Sequence, residues 1–192
     1  GSYENILYQL YTDSELAEKI RQLNNGEVSA VARNQIRREL RSVFWLRDDI
    51  TSITVIAKNN EQVFYDRLST SLQTNPCIHN FDLTDDELFA ALSTAKGYMI
   101  YPVRFATHFA NSDYYLFYIG HKGLNEKAII QTDAVFLMSV DVDLIRTALK
   151  ASSFSNEEYY SFIIDQSGHV VFHPNLSCIG EFAGTSTSDL QS

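Results

Sequence analysis

The spacing of the apolar residues changes abruptly at Asp48-Asp49, and this change constrains the fold more than any other feature of the chain. Before it, apolar residues recur every third or fourth position, which predicts helices over residues 3–23, with a break at Thr12, and over residues 28–47. After it, short runs rich in β-branched and aromatic residues are typical of strands. The sequence therefore predicts an α+β fold in which long N-terminal helices pack on a sheet.

Five extended runs predict a PAS-like five-stranded antiparallel sheet. An Asn-rich turn at residues 58–61 joins the first two runs as a hairpin, because Asn tolerates a positive φ. A short helix over residues 85–95 connects the second run to the third. The five runs span residues 51–57, 62–66, 98–105, 113–121 and 133–141.

The pattern of a helix followed by a hairpin occurs twice in the chain. After residue 141 a short helix over 142–151 leads to a second hairpin, 159–165 and 169–173, around a turn at Gln166-Ser167-Gly168. This faint repeat predicts a second module that begins here and is truncated. We therefore expect helices over 3–48, a complete module over 49–142, a connecting helix with the first hairpin of the second module over 143–180, and a disordered tail over 181–192.

The composition excludes several classes of function. Fifteen Lys and Arg against 24 Asp and Glu give a net charge of −9, which disfavours nucleic acid as a partner. No apolar run approaches 18 residues, and no GxSxG, HExxH, P-loop or GxGxxG motif indicates an enzyme. The cysteines form no CxxC pair, and we interpret His169, His173 and Cys178 as strand and turn residues, so no metal or cofactor is predicted. The helical arginines 33, 37, 38 and 41 are interpreted as a solvated face.

The stretch YYSFIIDQSGHVVFHPNLSCIGE, residues 159–181, carries a strand–Asp-x-x-Gly–strand–His-Pro-Asn–Ile-Gly pattern. It resembles the start of the membrane-proximal module in double Cache (PAS-like) extracytoplasmic sensor domains of bacterial transmembrane receptors. Such receptors include histidine kinases, diguanylate cyclases and chemoreceptors. Residues 135–149 are similar to the last strand of the membrane-distal module and the helix between modules, and the N-terminal helices match the stalk helix.

The resemblance implies a ligand-sensing domain outside the cytoplasmic membrane of a bacterium. It also implies a membrane-anchored full-length protein, a small-molecule ligand, a possible homodimer and no catalysis in this part of the receptor. The sequence departs from the family at Lys58-Asn59-Asn60, where many relatives have Asp-x-x-Gly. It also departs after Arg104. The amino-acid-binding members of the family have Trp-Tyr shortly after this arginine, whereas here Arg104 is followed by Phe105-Ala106-Thr107, so an amino-acid ligand is not implied.

Strand alternation suggests where a ligand would bind. A pocket holding Arg104, Tyr118 and Asp133, with Tyr101 or His108 at its rim, would suit a small polar or zwitterionic ligand. Strict alternation puts positions 101 and 104 on opposite faces of their strand. In the alternative interpretation Arg104 pairs with Asp133 at the rim and the tyrosine hydroxyls lie in water. The domain would then be a dimerisation or partner-protein-binding module of such a receptor, with no small-molecule ligand.

Overall fold

The computed structural model describes residues 3–27, 29–67, 85–95, 97–107, 113–122, 134–152, 162–165 and 167–184. Five strands form one antiparallel sheet in the order β2-β1-β5-β4-β3, and β6 and β7 form a separate two-stranded sheet. The predicted α+β, PAS-like fold class is confirmed. The elements are α1 (Tyr3–Thr12), α2 (Ser14–Asn24), α3 (Ala30–Ser42), β1 (Ile50–Ala57), β2 (Gln62–Asp66), α4 (Asp85–Thr94), β3 (Met99–Thr107), β4 (Asp113–His121), β5 (Ala134–Asp141), α5 (Val142–Ser152), β6 (Ile163–Ile164) and β7 (Val170–Phe172).

The first helical stretch is broken where the sequence predicted. The α1 helix ends at Thr12, and Asp13 caps α2 by accepting a hydrogen bond from the Leu16 amide at 2.9 Å. The second helical stretch is shorter than predicted. The α3 helix starts after its cap Ser29, and the chain tightens at Val43–Trp45 into a 3₁₀ turn, a common way for a helix to end.

The N-terminal helices pack on one face of the five-stranded sheet, which we call the helix-side face. Alternate residues of β1 and β5 point towards the helices and form the main core with them, as the two-residue period of a strand requires. Leucines and isoleucines of α1, α2 and α3 supply the other half of this core. Its members include Leu7, Leu16, Ile20, Ile36, Leu40, Ile53, Val55, Phe136, Met138 and Val140.

The remaining residues of the same strands lie on the opposite face, which we call the far face. The α4 helix covers part of it with Leu88 and Leu92, which pack against Ile56 and Leu137. The helix lies close to the sheet at Gly120, where an added Cβ would lie 2.5 Å from a methyl carbon of Leu92. A larger residue there would force the Leu92 side chain to move.

The edge strand β2 is covered by arginine side chains of α3. Arg33 donates a hydrogen bond to the carbonyl of Gln62 at 3.2 Å, and Arg37 donates one to the carbonyl of Phe64 at 3.1 Å. Arg33 also pairs with Glu61. The prediction of a solvated arginine face is therefore wrong for Arg33 and Arg37, because the outward carbonyls of an edge strand need donors.

The second hairpin forms around the predicted turn. Asp165 accepts hydrogen bonds from the amides of Ser167 and His169 at 2.8 and 2.9 Å, and Gly168 adopts a φ of 87°. The strands β6 and β7 do not pair with the five-stranded sheet, yet Phe172 is buried in the main core. That this hairpin begins a second module, and the boundaries 49–142 and 143–180, stay predictions.

The shared core makes the hairpin testable as part of one cooperative unit. Phe172 is 1% exposed, so replacing it with Ala should lower the free energy of unfolding of the whole chain by about 3–5 kcal/mol. The matched variant Phe162→Ala, at a half-exposed phenylalanine of the same hairpin, should cost less than about 1 kcal/mol. Urea unfolding followed by circular dichroism measures both. Two separate transitions in Phe172→Ala, with the main one unmoved, would contradict a shared core.

Candidate functional site

A row of five polar side chains crosses the far face, one from each strand of the sheet. Asp66 of β2 lies opposite Ser52, Ser52 opposite Ser139, Ser139 opposite Tyr118, and Tyr118 opposite Tyr101. All five are between 0 and 7% exposed. Buried sheet positions are usually apolar, because a polar group taken out of water loses its hydration. We call these five residues the polar row and treat it as the candidate site.

Hydroxyl groups occupy the centre of the polar row. The Ser139 hydroxyl hydrogen-bonds with the hydroxyl of Ser52 and, at 2.7 Å, with that of Thr51. Thr51 reaches it because the register between β1 and β5 shifts between Ile50 and Ser52, so Thr51 is the extra residue of a β-bulge. A hydroxyl has one donor and two acceptor sites, so the cluster keeps acceptor capacity for another donor.

Two buried tyrosines form the other end of the polar row. Tyr118 is 1% and Tyr101 is 7% exposed, and both pack in a second core cluster with Leu88, Leu92 and Leu116. Burial raises the pKa of Tyr101 to about 12, so its hydroxyl stays protonated at neutral pH. Both side chains are buried, so little of either phenol is exposed to water.

A second bulge changes the face predicted for Arg104. The register between β3 and β4 pairs Tyr101 with Tyr118 and Arg104 with Leu116, so three steps on β3 match two on β4. The prediction that positions 101 and 104 lie on opposite faces is therefore wrong, because the extra residue inverts the alternation. The register places position 104 opposite Leu116, two residues along β4 from Tyr118 of the polar row.

The other predicted site residues have different outcomes. Asp133 and His108 lie outside the described residues, so their place in the site stays a prediction. Sequence reasoning missed Ser52, Ser139 and Asp66. The available signal was polar residues at alternate positions of otherwise apolar strands, as in TSITVIA and AVFLMSVD.

On the helix-side face, an aromatic sandwich attaches α1 to the sheet. The imidazole of His121 stacks on Tyr11 at a centroid distance of 4.7 Å and contacts the ring of Tyr98 at 4.4 Å. The hydroxyl of Tyr98 donates a hydrogen bond to the Glu4 carbonyl at 3.0 Å. Burial, with a smaller contribution from the charge of Lys122, lowers the pKa of His121 to about 4, so the imidazole is neutral at neutral pH.

The described residues show neither a metal site nor a membrane span. Within these ranges, no group of three or more His, Cys, Asp or Glu side chains could hold a metal ion. In the same part of the chain, no helix is both long and apolar enough to cross a membrane. The polar groups of the polar row are the carboxyl of Asp66, two serine hydroxyls and two tyrosine phenols.

Two solved structures share this fold. The periplasmic sensory domain of the Campylobacter jejuni chemoreceptor Tlp1 is 12% identical with a TM-score of 0.55, over 93% of this chain and 70% of that one. The ligand-binding domain of the Pseudomonas aeruginosa PAO1 amino-acid chemoreceptor PctB, in complex with L-Arg, is 11% identical with a TM-score of 0.50, over 93% and 69%. No protein-family model matches the sequence, and no curated protein is significantly similar to it. The likeness establishes the shared fold.

The neutral buried His121 predicts an acid-sensitive stability. Between its ordinary pKa of 6.5 and its folded value of about 4, the unfolded chain binds a proton that the folded chain does not. The free energy of unfolding should therefore fall as the pH is lowered from 6.5 to 4. The variant His121→Gln, which cannot titrate, should show a flatter dependence in urea unfolding across this range. Identical slopes for the two proteins would contradict the assignment.

Proposed function

We propose that this chain is the extracytoplasmic ligand-sensing domain of a bacterial membrane signalling receptor and that the polar row forms the floor of its ligand site. The observation that carries the proposal is the polar row itself, buried across all five strands on the face that the N-terminal helices leave open. Apolar residues usually fill such buried sheet positions, so a continuous row of polar side chains across one face is typical of a site that binds a polar molecule. The fold shared with a chemoreceptor sensory domain supports the same function.

The ligand that fits this site is a small polar or zwitterionic molecule. The row offers a carboxylate at Asp66, hydroxyls at its centre and phenols at its other end. Arg104, which lies opposite Leu116 in the register, would hold an anionic group, and Asp133 with His108 would complete the site from the adjoining segments. Each charged hydrogen bond of this kind contributes about 1.5–3 kcal/mol. Given the departure after Arg104, we do not restrict the ligand to amino acids.

The signal would leave the sheet through the helices. The α1 helix shares the main core with β1 and β5, and α5 continues directly from β5. A ligand that favours one conformation of the sheet shifts the helices by as much as its differential affinity allows. We further propose that this is the membrane-distal module of a double Cache receptor that is anchored in the membrane and forms a homodimer.

A dimerisation or partner-protein-binding module is the second candidate function. Trp45 is 85% exposed and its neighbour Leu46 is 56% exposed, and adjacent exposed apolar side chains are typical of contact surfaces. In that case the polar row would bind no ligand. The two functions are separated by the binding experiment that follows.

Ligand binding should depend on Arg104 and Tyr118. A thermal-shift screen of small polar metabolites should identify a stabilising compound, because a ligand that binds only the folded state raises the melting temperature. With that compound, Arg104→Ala should weaken binding at least tenfold in a calorimetric titration, since an ionic hydrogen bond is lost. Tyr118→Phe should weaken it less, because it removes one hydroxyl and keeps the ring.

The matched control is Arg38→Ala, at an exposed arginine of α3 away from the far face. It should leave affinity unchanged. Unchanged affinity in Arg104→Ala would move the site elsewhere. A screen without any stabilising compound, together with self-association of the domain that Trp45→Ala abolishes, would favour the second candidate function.

A further inference from the structure

Asp49 holds the beginning of α1 through its side chain. This residue precedes β1 and is 8% exposed. Its carboxylate accepts a hydrogen bond from the Tyr3 hydroxyl at 2.5 Å and two from Arg47, at 2.8 and 2.5 Å. The guanidinium of Arg47 also lies 4.3 Å from the centre of the Tyr3 ring, a cation–π distance. The first turn of α1 is therefore fixed to the segment that leads into the sheet.

The same residue holds the beginning of α5 through its main chain. The Asp49 carbonyl accepts a hydrogen bond from the Asp141 amide at 2.8 Å. Asp141 ends β5, and its carboxylate accepts hydrogen bonds from the amides of Asp143 at 2.8 Å and Leu144 at 3.3 Å. Asp141 thus caps the N-terminus of α5, where orphan amides and the helix dipole favour an anion.

We infer that Asp49 is a positioning residue that couples the seating of α1 on the sheet to the capping of α5. When α1 lifts away, Tyr3 leaves the carboxylate and Arg47 loses the ring beneath it. The segment that carries the Asp49 carbonyl is then held less firmly. Because this carbonyl positions Asp141, the cap that Asp141 forms on α5 is weakened too. By linkage, weakening the cap should loosen α1 to the same extent.

The groups around the two carboxylates determine whether loss of the Tyr3 contact strengthens or weakens the cap of α5. Asp49 and Asp141 are both buried carboxylates, at 8% and 7% exposure. Burial raises the pKa of Asp141, and the charges of Asp143 and Asp49 add to this against the hydrogen bonds from the α5 amides. Burial alone would also raise the pKa of Asp49, but the hydrogen bonds from Arg47 and Tyr3 lower it. Removing the Tyr3 hydroxyl takes away one of the hydrogen bonds that stabilise the Asp49 carboxylate, so the segment that presents the Asp49 carbonyl to the Asp141 amide is held less firmly.

Amide hydrogen exchange on the unliganded domain tests the coupling. In Tyr3→Phe, the Asp143 and Leu144 amides should exchange at least threefold faster, although residue 3 is about 140 positions away from them in the sequence. The matched control is Tyr8→Phe, at a half-exposed tyrosine of the same helix, which should leave these amides unchanged. In the reciprocal variant Asp141→Ala, which removes the capping oxygen, the Leu7 and Tyr8 amides of α1 should exchange faster.

Each outcome decides for or against the coupling. Faster exchange confined to α1 and α5, in both Tyr3→Phe and Asp141→Ala, supports it. Unchanged α5 amides in Tyr3→Phe overturn it. Equal acceleration throughout β5 and α5 also overturns it, because that result means general destabilisation rather than a path through Asp49. The measurement uses no ligand, so its failure is distinguishable from failure of the proposed function.

Discussion

The pairing of β1 with β5 organises the rest of the molecule. Both strands lie in the interior of the five-stranded sheet, and every residue of both is buried. In a strand that is buried on both faces, alternate residues pack against the helices on one side and line the candidate site on the other. In β1 and β5 this division is sharp, since the helix-side residues are apolar while hydroxyl residues appear only on the far face or at the bulge. The polar row therefore crosses a sheet whose main apolar core lies on the opposite face.

The sequence predicts the elements better than it predicts the site. The strands Gln62–Asp66 and Asp113–His121 are predicted to the residue, because a turn signal or a change of period marks their ends. The polar row could not be predicted in this way. It depends on register between β1, β2 and β5, which joins Ser52 to residues far along the chain. Local alternation carries no information on such pairing.

The bulge in β3 explains why the relative placement of Tyr101 and Arg104 is predicted incorrectly from the sequence. Alternation places Arg104 away from Tyr101, but one inserted residue in β3 returns both positions to the far face. A bulge depends on the partner strand as well as the local sequence, so it is not visible in a single run of residues. Residue type alone pointed to Tyr101, Tyr118 and Arg104, as aromatic and cationic residues on strands that meet in the sheet, and their role in binding a ligand stays a prediction.

The α1 helix is attached to the sheet by two contacts of opposite character. Near its start Tyr3 contacts the Arg47–Asp49 ion pair, and near its end the attachment is aromatic and neutral, through Tyr11 and His121. Salt weakens partly exposed ionic contacts more than buried aromatic ones. The two ends of the helix can therefore respond separately to ionic strength and to acid.

The arginines on β2 have a consequence for how copies of this protein can associate. A free strand edge is a template on which another chain can add a strand, by backbone hydrogen bonds alone. Here Arg33 and Arg37 already occupy the carbonyls of Gln62 and Phe64 that such a strand would need. An incoming strand would have to displace two guanidinium groups and the helix that carries them. These arginines therefore oppose the addition of another strand on the β2 side of the sheet.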